Sequence, residues 1–136
     1  MKRRDFIILG GAALVAPAIA TAAPIVYTPG LVKDRLAAKE IVFLDFKASW
    51  CSTCKAQEKI LAKLKAANPA YEANITFIDV DWDDYGQADF TRKLKIPRRS
   101  TLVALQGDRE IGRLVADTRE TKIKALMDAA LTVATA

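Results

Sequence analysis

The chain has two cysteines, Cys51 and Cys54, and they stand two residues apart in the stretch KASWCSTCKAQE. The run IVFLDF just before this stretch is apolar and rich in branched and aromatic residues, which predicts a buried strand with one exception, Asp45. After the cysteines, apolar residues recur at helical spacing as far as Ala67, where an Asn-Pro pair ends the pattern. The sequence therefore predicts a strand that leads into a helix, with Cys51 at the junction.

The rest of the 136 residues repeats this alternation and is long enough for one domain. From the periodicity and the turn residues we predict helices at 31–40 and 87–94, a loop from Trp82 to Gly86, strands at 75–80, 101–105 and 110–115 with a hairpin turn at Gly107-Asp108, and a last helix capped by Asp117 or Thr118. This order predicts an α/β fold with a mixed sheet flanked by helices. The first strand pair should be parallel and the last antiparallel.

A helix N-terminus favours a thiolate, because its backbone N–H groups lack partners and carry partial positive charge. We therefore expect Cys51 to be the more acidic, exposed nucleophile and Cys54 to resolve a mixed disulfide formed on it. A purely structural bridge across two residues would restrain the unfolded chain very little. A structural zinc site requires four Cys or His ligands, and the chain has two cysteines and no histidine. We expect a redox-active disulfide with no metal and no cofactor.

Two other hypotheses for the function of the cysteine pair stay open at this point. Two soft thiolates suit Cu(I), although no histidine is available to complete such a site. The second hypothesis is a non-catalytic binding module in which the two thiols have no functional role. The net charge of +5 does not indicate a nucleic-acid partner, since neither a long basic run nor basic residues interleaved with aromatics occur.

The tracts FLDFKASWCSTCK and STLVALQGDREIGRLV resemble the thioredoxin superfamily, and the resemblance extends from about Ile41 to Leu131. The segment WCSTCKAQEK looks most like the C-terminal periplasmic domain of the DsbD thiol:disulfide interchange family, with Lys after the second cysteine and Glu four residues after it. The resemblance implies a thioredoxin fold, protein-disulfide oxidoreductase activity and protein disulfides as substrates. It favours a reductase or electron relay that draws electrons from a membrane thiol donor. A dithiol oxidase is the alternative.

The resemblance also assigns roles to two acids. Asp45 is costly inside an apolar strand unless it is paired or protonated, and thioredoxins place such an acid behind the resolving cysteine as its proton acceptor. Glu58 follows Cys54 by one helical turn and is the candidate for a second acid or base. The alternatives are a solvent-facing Asp45 at a sheet edge, and an ordinary surface pair of Glu58 with Lys55 or Lys59.

The loop before the strand at 101–105 departs from the family pattern. Thioredoxins have a cis-proline there, and alignment on Thr101-Leu102 puts Ser100 in its place. Ser100 would follow a cis or a trans peptide, or else Pro97 would be the cis-proline with an insertion after it. We expect Trp50 to shield the site, and expect Trp50, Arg99, Ser100 and Thr101 to form the substrate-binding surface.

The N-terminus predicts export. Residues 1–22 combine a short basic region, an uncharged stretch and small residues that fit A-x-A cleavage. The order Arg3-Arg4-Asp5-Phe6 resembles a bacterial twin-arginine signal. We expect cleavage and a thioredoxin-like domain at 23–136 in the periplasm. An uncleaved anchor is the alternative, in which case the signal alone would contact the membrane.

Overall fold

The computed structural model describes residues 23–136. Five strands form one sheet: β1 (Ile25–Val26), β2 (Ile41–Lys47), β3 (Ile75–Asp81), β4 (Thr101–Gln106) and β5 (Arg109–Val115). Within these described residues, six helices surround the sheet: α1 (Leu31–Ala37), α2 (Ser52–Ala67), α3 (Ala70–Asn74), α4 (Trp82–Tyr85), α5 (Asp89–Lys93) and α6 (Glu120–Ala134). In this part of the chain no helix is both long and apolar enough to cross a membrane.

The sheet is mixed, as the sequence predicts, and its strand order is β1-β3-β2-β4-β5. The central strand β2 pairs in parallel with β3 and antiparallel with β4, and β4 and β5 form the antiparallel hairpin. Because β2 and β4 run in opposite directions, the end of β2 and the start of β4 lie side by side, with Phe46 opposite Thr101. Residues that follow β2 and residues that precede β4 therefore meet at the same edge.

Alternate side chains of β2 point to opposite faces of the sheet, and each face has its own core. Ile41 and Phe43 pack in a cluster with residues of α2, α3 and α6. Val42, Leu44 and Phe46 pack on the other face with residues of α1 and α5. A strand covered on both faces reads as a continuous apolar run, which is why this segment is so hydrophobic. Asp45 follows Phe43 by two residues and so belongs to the face that α2 covers.

Several elements differ from the predictions. The predicted loop after β3 contains the one-turn helix α4, and the helix predicted at 87–94 is shorter. The strand β1 and the helix α3 were not predicted. Asn68 and Pro69 do end α2, and the Asn68 side chain also accepts a hydrogen bond at 3.1 Å from the N–H of Ala70, the first residue of α3.

The predicted cap of the last helix is also wrong. Arg119 holds the cap position of α6, and no side chain of residues 23–136 caps that end of the helix. Asp117 accepts a hydrogen bond from the Arg119 N–H and contacts the Arg119 guanidinium at 2.7 Å. This local turn and ion pair use the carboxylate before the helix begins.

Candidate active site

The two cysteines lie at the start of α2 and are joined by a disulfide, with their Cα atoms 5.3 Å apart. Cys51 has an extended backbone and holds the cap position, and its Sγ accepts a hydrogen bond from the N–H of Cys54 at 3.1 Å. A sulfur atom thus takes the place that a Ser or Asp oxygen usually has at a helix cap. After reduction, the same N–H and the helix dipole would favour a thiolate on Cys51.

Both cysteines are buried, which corrects the expectation that Cys51 is exposed. Their exposed fractions are 2% for Cys51 and 1% for Cys54. They form a small cluster with Ala48, against which the half-buried Trp82 packs. The segment before β4 contacts both sulfur atoms, because the end of β2 and the start of β4 are adjacent. Burial of this kind depends on residues far along the chain, which the local pattern around the cysteines does not show.

Ser100 provides the contact to the sulfur atoms. Its Oγ lies 3.1 Å from the Sγ of Cys51 and 3.1 Å from the Sγ of Cys54, and the residue is fully buried. Its backbone is left-handed, with a φ of 65°. No peptide bond of residues 23–136 is cis, so both cis alternatives, before Ser100 and at Pro97, are wrong. Alignment with the family cis-proline nevertheless puts Ser100 at the position that faces the disulfide.

Gln57 supports this loop, a role that the sequence pattern alone did not predict. Its side chain is fully buried, and its Nε2 donates hydrogen bonds to the carbonyl oxygens of Ser100 at 3.0 Å and Asp117 at 3.1 Å. The signal for it is present in the sequence, because Gln57 follows Cys54 by three residues and stands on the apolar face with Leu61. A polar residue on the buried face of a helix needs hydrogen-bond partners.

Asp45 is buried under α2 with an exposed fraction of 4%, which contradicts the alternative of a solvent-facing position. One carboxylate oxygen, Oδ1, has no hydrogen-bond partner among the described residues. Burial, together with the facing carboxylate of Asp79, raises the pKa of Asp45 from 3.8 to about 7, and the Lys47 ammonium offsets part of this rise. Asp45 is therefore an acid that exchanges its proton near neutral pH.

A charged cluster surrounds Asp45 and includes the second predicted acid. The Nζ of Lys47 lies 2.9 Å from Oε2 of Glu58 and 3.4 Å from Oδ2 of Asp79. Glu58 thus pairs with Lys47 rather than with Lys55 or Lys59. All four side chains line one cavity of about 220 Å³ between α2 and the sheet. Lys47 and Asp79 were not predicted, although Lys47 follows Asp45 by two residues and so shares its face of β2.

The exposed Trp50 and the half-buried Arg99 form the rim of the site. The indole of Trp50 is 56% exposed, and the guanidinium of Arg99 stacks over it at 4.6 Å from the ring centroid. The Nε1 of Trp50 donates a hydrogen bond to Asp83 at 3.0 Å. These contacts hold a flat aromatic and cationic surface beside the cysteines.

The other two residues of the predicted substrate surface differ from this rim. Ser100 and Thr101 are fully buried, so neither side chain offers a surface to a substrate. The Thr101 hydroxyl instead donates to the carbonyl oxygen of Arg98 at 2.6 Å. Both side chains point into the fold because the left-handed turn at Ser100 leads directly into β4, whose inner residues are covered on both faces.

The fold and the site together define a thioredoxin-like protein with a C-x-x-C pair. The sheet order, the helix that starts at the first cysteine and the facing loop before β4 carry this assignment. The sequence model of the thioredoxin family matches residues 25–129, and the chain belongs to this family. The combination is consistent with a thiol-disulfide oxidoreductase.

Individual relatives agree with the family assignment. Thioredoxin H2-1 of rice is 29% identical over 99 residues, which cover 71% of this chain and 67% of the rice protein. The crystal structure of Trxlp from Edwardsiella tarda is similar over 76% of this chain and 98% of that one, with 25% identity and a TM-score of 0.65. The thioredoxin of Malassezia sympodialis is similar over 88% of this chain and 100% of its own, with 25% identity and a TM-score of 0.64.

Proposed function

We propose that this protein is an exported thiol-disulfide oxidoreductase that reduces protein disulfides or relays electrons to them. The observation that carries the proposal is the Cys51–Cys54 disulfide at the N-terminus of α2, where the Cys54 N–H already contacts the Cys51 sulfur. Membership of the thioredoxin family supports the same chemistry. The DsbD-like sequence around the cysteines supports the reductive direction.

The reaction begins with the reduced pair. The Cys51 thiolate attacks one sulfur of a substrate disulfide, a mixed disulfide forms, and the other substrate sulfur leaves as a thiolate that takes a proton. Cys54 then gives up its proton, and its thiolate attacks the Cys51 sulfur. The second substrate sulfur leaves and is protonated. Two electrons have passed to the substrate, and the disulfide seen in the structure has formed.

Asp45 is our candidate for the group that accepts the Cys54 proton. It is buried on the face of β2 that α2 covers, and its pKa of about 7 suits proton exchange with a thiol at neutral pH. The cavity that Asp45 shares with Lys47 and Glu58 brings charged side chains near the acid, and Glu58 is about half exposed, so these groups could pass the proton on towards solvent. Glu58 would then act at the outer end of this route.

We place the protein in the periplasm of a bacterium, with a membrane thiol protein as its electron donor. The support is the N-terminal pattern of Arg3-Arg4 and small residues, which lies outside the described residues. Fractionation of cells that express the full chain tests this: we expect a periplasmic product, and retention in the cytoplasm when both arginines are changed to lysine. A periplasmic product from the lysine variant would contradict a twin-arginine route.

The direction of electron flow follows from the equilibrium potential of the Cys51/Cys54 pair. We expect a value near that of thioredoxin, about −270 mV, because no histidine is available beside the cysteines to stabilise the reduced form. Equilibration of the purified protein with glutathione or dithiothreitol buffers, followed by mass spectrometry after thiol alkylation, measures it. A value near −120 mV would mark a dithiol oxidase and reverse the proposed direction.

A further inference from the structure

The position of Ser100 relative to the disulfide suggests a role in catalysis that the family pattern does not supply. Its Oγ is equally close to the two sulfur atoms, at 3.1 Å from each. Neither sulfur of a disulfide carries a hydrogen atom, so the hydroxyl is the donor, and its single hydrogen serves one of the two sulfurs at a time. The two sulfurs are its only hydrogen-bond partners in the part of the chain that the structure describes.

We propose that Ser100 is a catalytic residue whose hydroxyl donates a hydrogen bond to whichever cysteine sulfur carries negative charge during exchange. The inference rests on the proposed function. Negative charge is on Cys51 while it attacks the substrate and on Cys54 while it resolves the mixed disulfide. A donor equidistant from both sulfurs serves both steps by rotation of the hydroxyl alone.

The fold holds this donor in place. The Ser100 N–H donates to the carbonyl oxygen of Phe46 at 2.7 Å. The Ser100 carbonyl oxygen accepts from the N–H of Ala116 at 2.8 Å and from Gln57 at 3.0 Å. Three hydrogen bonds thus fix a left-handed conformation that a residue with a side chain seldom adopts. A group that is fixed before the reaction stabilises developing charge without reorganisation.

The hydroxyl should favour the reduced form of the pair. Hydrogen bonds to a charged acceptor are roughly twice as strong as those to a neutral one, and a disulfide sulfur is neutral whereas a thiolate is charged. Ser100 is fully buried, so water does not replace the bond when the hydroxyl is removed. Loss of the hydroxyl should therefore shift the equilibrium towards the disulfide by about tenfold, which corresponds to about 30 mV for two electrons.

Two substitutions separate the hydroxyl from the backbone. Ser100→Ala removes the hydroxyl and keeps a side chain at positive φ, whereas Ser100→Gly removes it and suits the left-handed conformation. We expect both variants to have a potential about 30 mV more negative and a Cys51 thiol pKa about one higher. Ser49→Ala is the matched control, because Ser49 is an exposed serine two residues before Cys51. It should leave both quantities unchanged.

The measurements are the glutathione equilibrium and the pH titration of thiolate absorbance, made on each purified variant. Asp45 and Arg99 are charged groups of neighbouring segments and are the same in all variants, so the comparison isolates the hydroxyl. Wild-type values of the potential and the thiol pKa in both Ser100 variants would overturn the inference. Shifts of opposite sign in Ser100→Ala and Ser100→Gly would overturn it too, because they would show an effect of the backbone and not of the hydroxyl. If Ser100→Ala does not fold, Ser100→Gly decides alone. Failure of the wild-type protein to exchange disulfides would instead reject the proposed function.

Discussion

Replacing Cys51 by serine should abolish disulfide exchange, with a loss on the order of 1000-fold or more in the rate of substrate reduction. A serine hydroxyl is scarcely ionised at neutral pH, so the cap of α2 would no longer present a nucleophile. Cys54→Ser should be equally inactive in turnover for a different reason. It keeps the nucleophile but lacks the thiol that releases the substrate, and so accumulates a mixed disulfide through Cys51.

The two variants are each other's control. Mass spectrometry and non-reducing electrophoresis of the alkylated products should show substrate adducts on Cys54→Ser and very few on Cys51→Ser. A bridge between residues 51 and 54 closes a very short loop, so its loss should leave thermal stability nearly unchanged. Adducts in equal amounts on both variants would contradict the assignment of Cys51 as nucleophile. If Cys51→Ser fails to exchange disulfides but leaves the biological activity of the protein in cells intact, a non-catalytic binding module would be favoured.

Asp45→Asn should stabilise the folded protein at alkaline pH by up to about 4 kcal/mol. The pKa of Asp45 is about 7 in the folded protein against 3.8 for its ordinary value, so the folded state holds this proton more tightly than the unfolded chain. The stabilisation that this bound proton gives to the folded state is complete below about pH 4 and is lost as the pH rises through 7. Asparagine never ionises, so the variant should lack this loss.

Urea unfolding at pH 5 and pH 8 measures the effect. The wild-type protein should lose stability over this interval, and Asp45→Asn should lose much less. Asp84→Asn, which changes an exposed carboxyl on α4, is the control and should follow the wild type. Asp45→Asn, unlike the Asp84→Asn control, should also slow the resolving step if Asp45 accepts the Cys54 proton. Parallel stability curves for wild type and Asp45→Asn would show that the carboxyl is already ionised in the folded state.

The sequence predicts those parts of the site that are encoded locally. An apolar run before a helical pattern was sufficient to place Cys51 at a helix start, and the charge within that run singled out Asp45. The hairpin followed from alternating strands around Gly107, whose φ of 58° suits a glycine in a tight turn.

The remaining features depend on contacts between distant segments. The convergence of Lys47, Glu58 and Asp79 follows from the pairing of β2 with β3 and from the side of the sheet that α2 covers. Burial of Cys51 and the left-handed backbone of Ser100 follow from the adjacency of β2 and β4. No local pattern reports these distances. The short elements β1 and α3 were missed because two and five residues are too few to show a period.

The direction of β4 shows where a label or a surface tether can be attached to this protein. Ser100 meets the sulfurs at one end of that strand, and the turn at Gly107-Asp108 lies at the other, six residues or roughly 20 Å away. Asp108 is exposed. A fluorophore or surface tether attached at Asp108 by chemistry that does not react with thiols would therefore leave the disulfide site free. The immobilised protein could then be monitored through repeated cycles of oxidation and reduction.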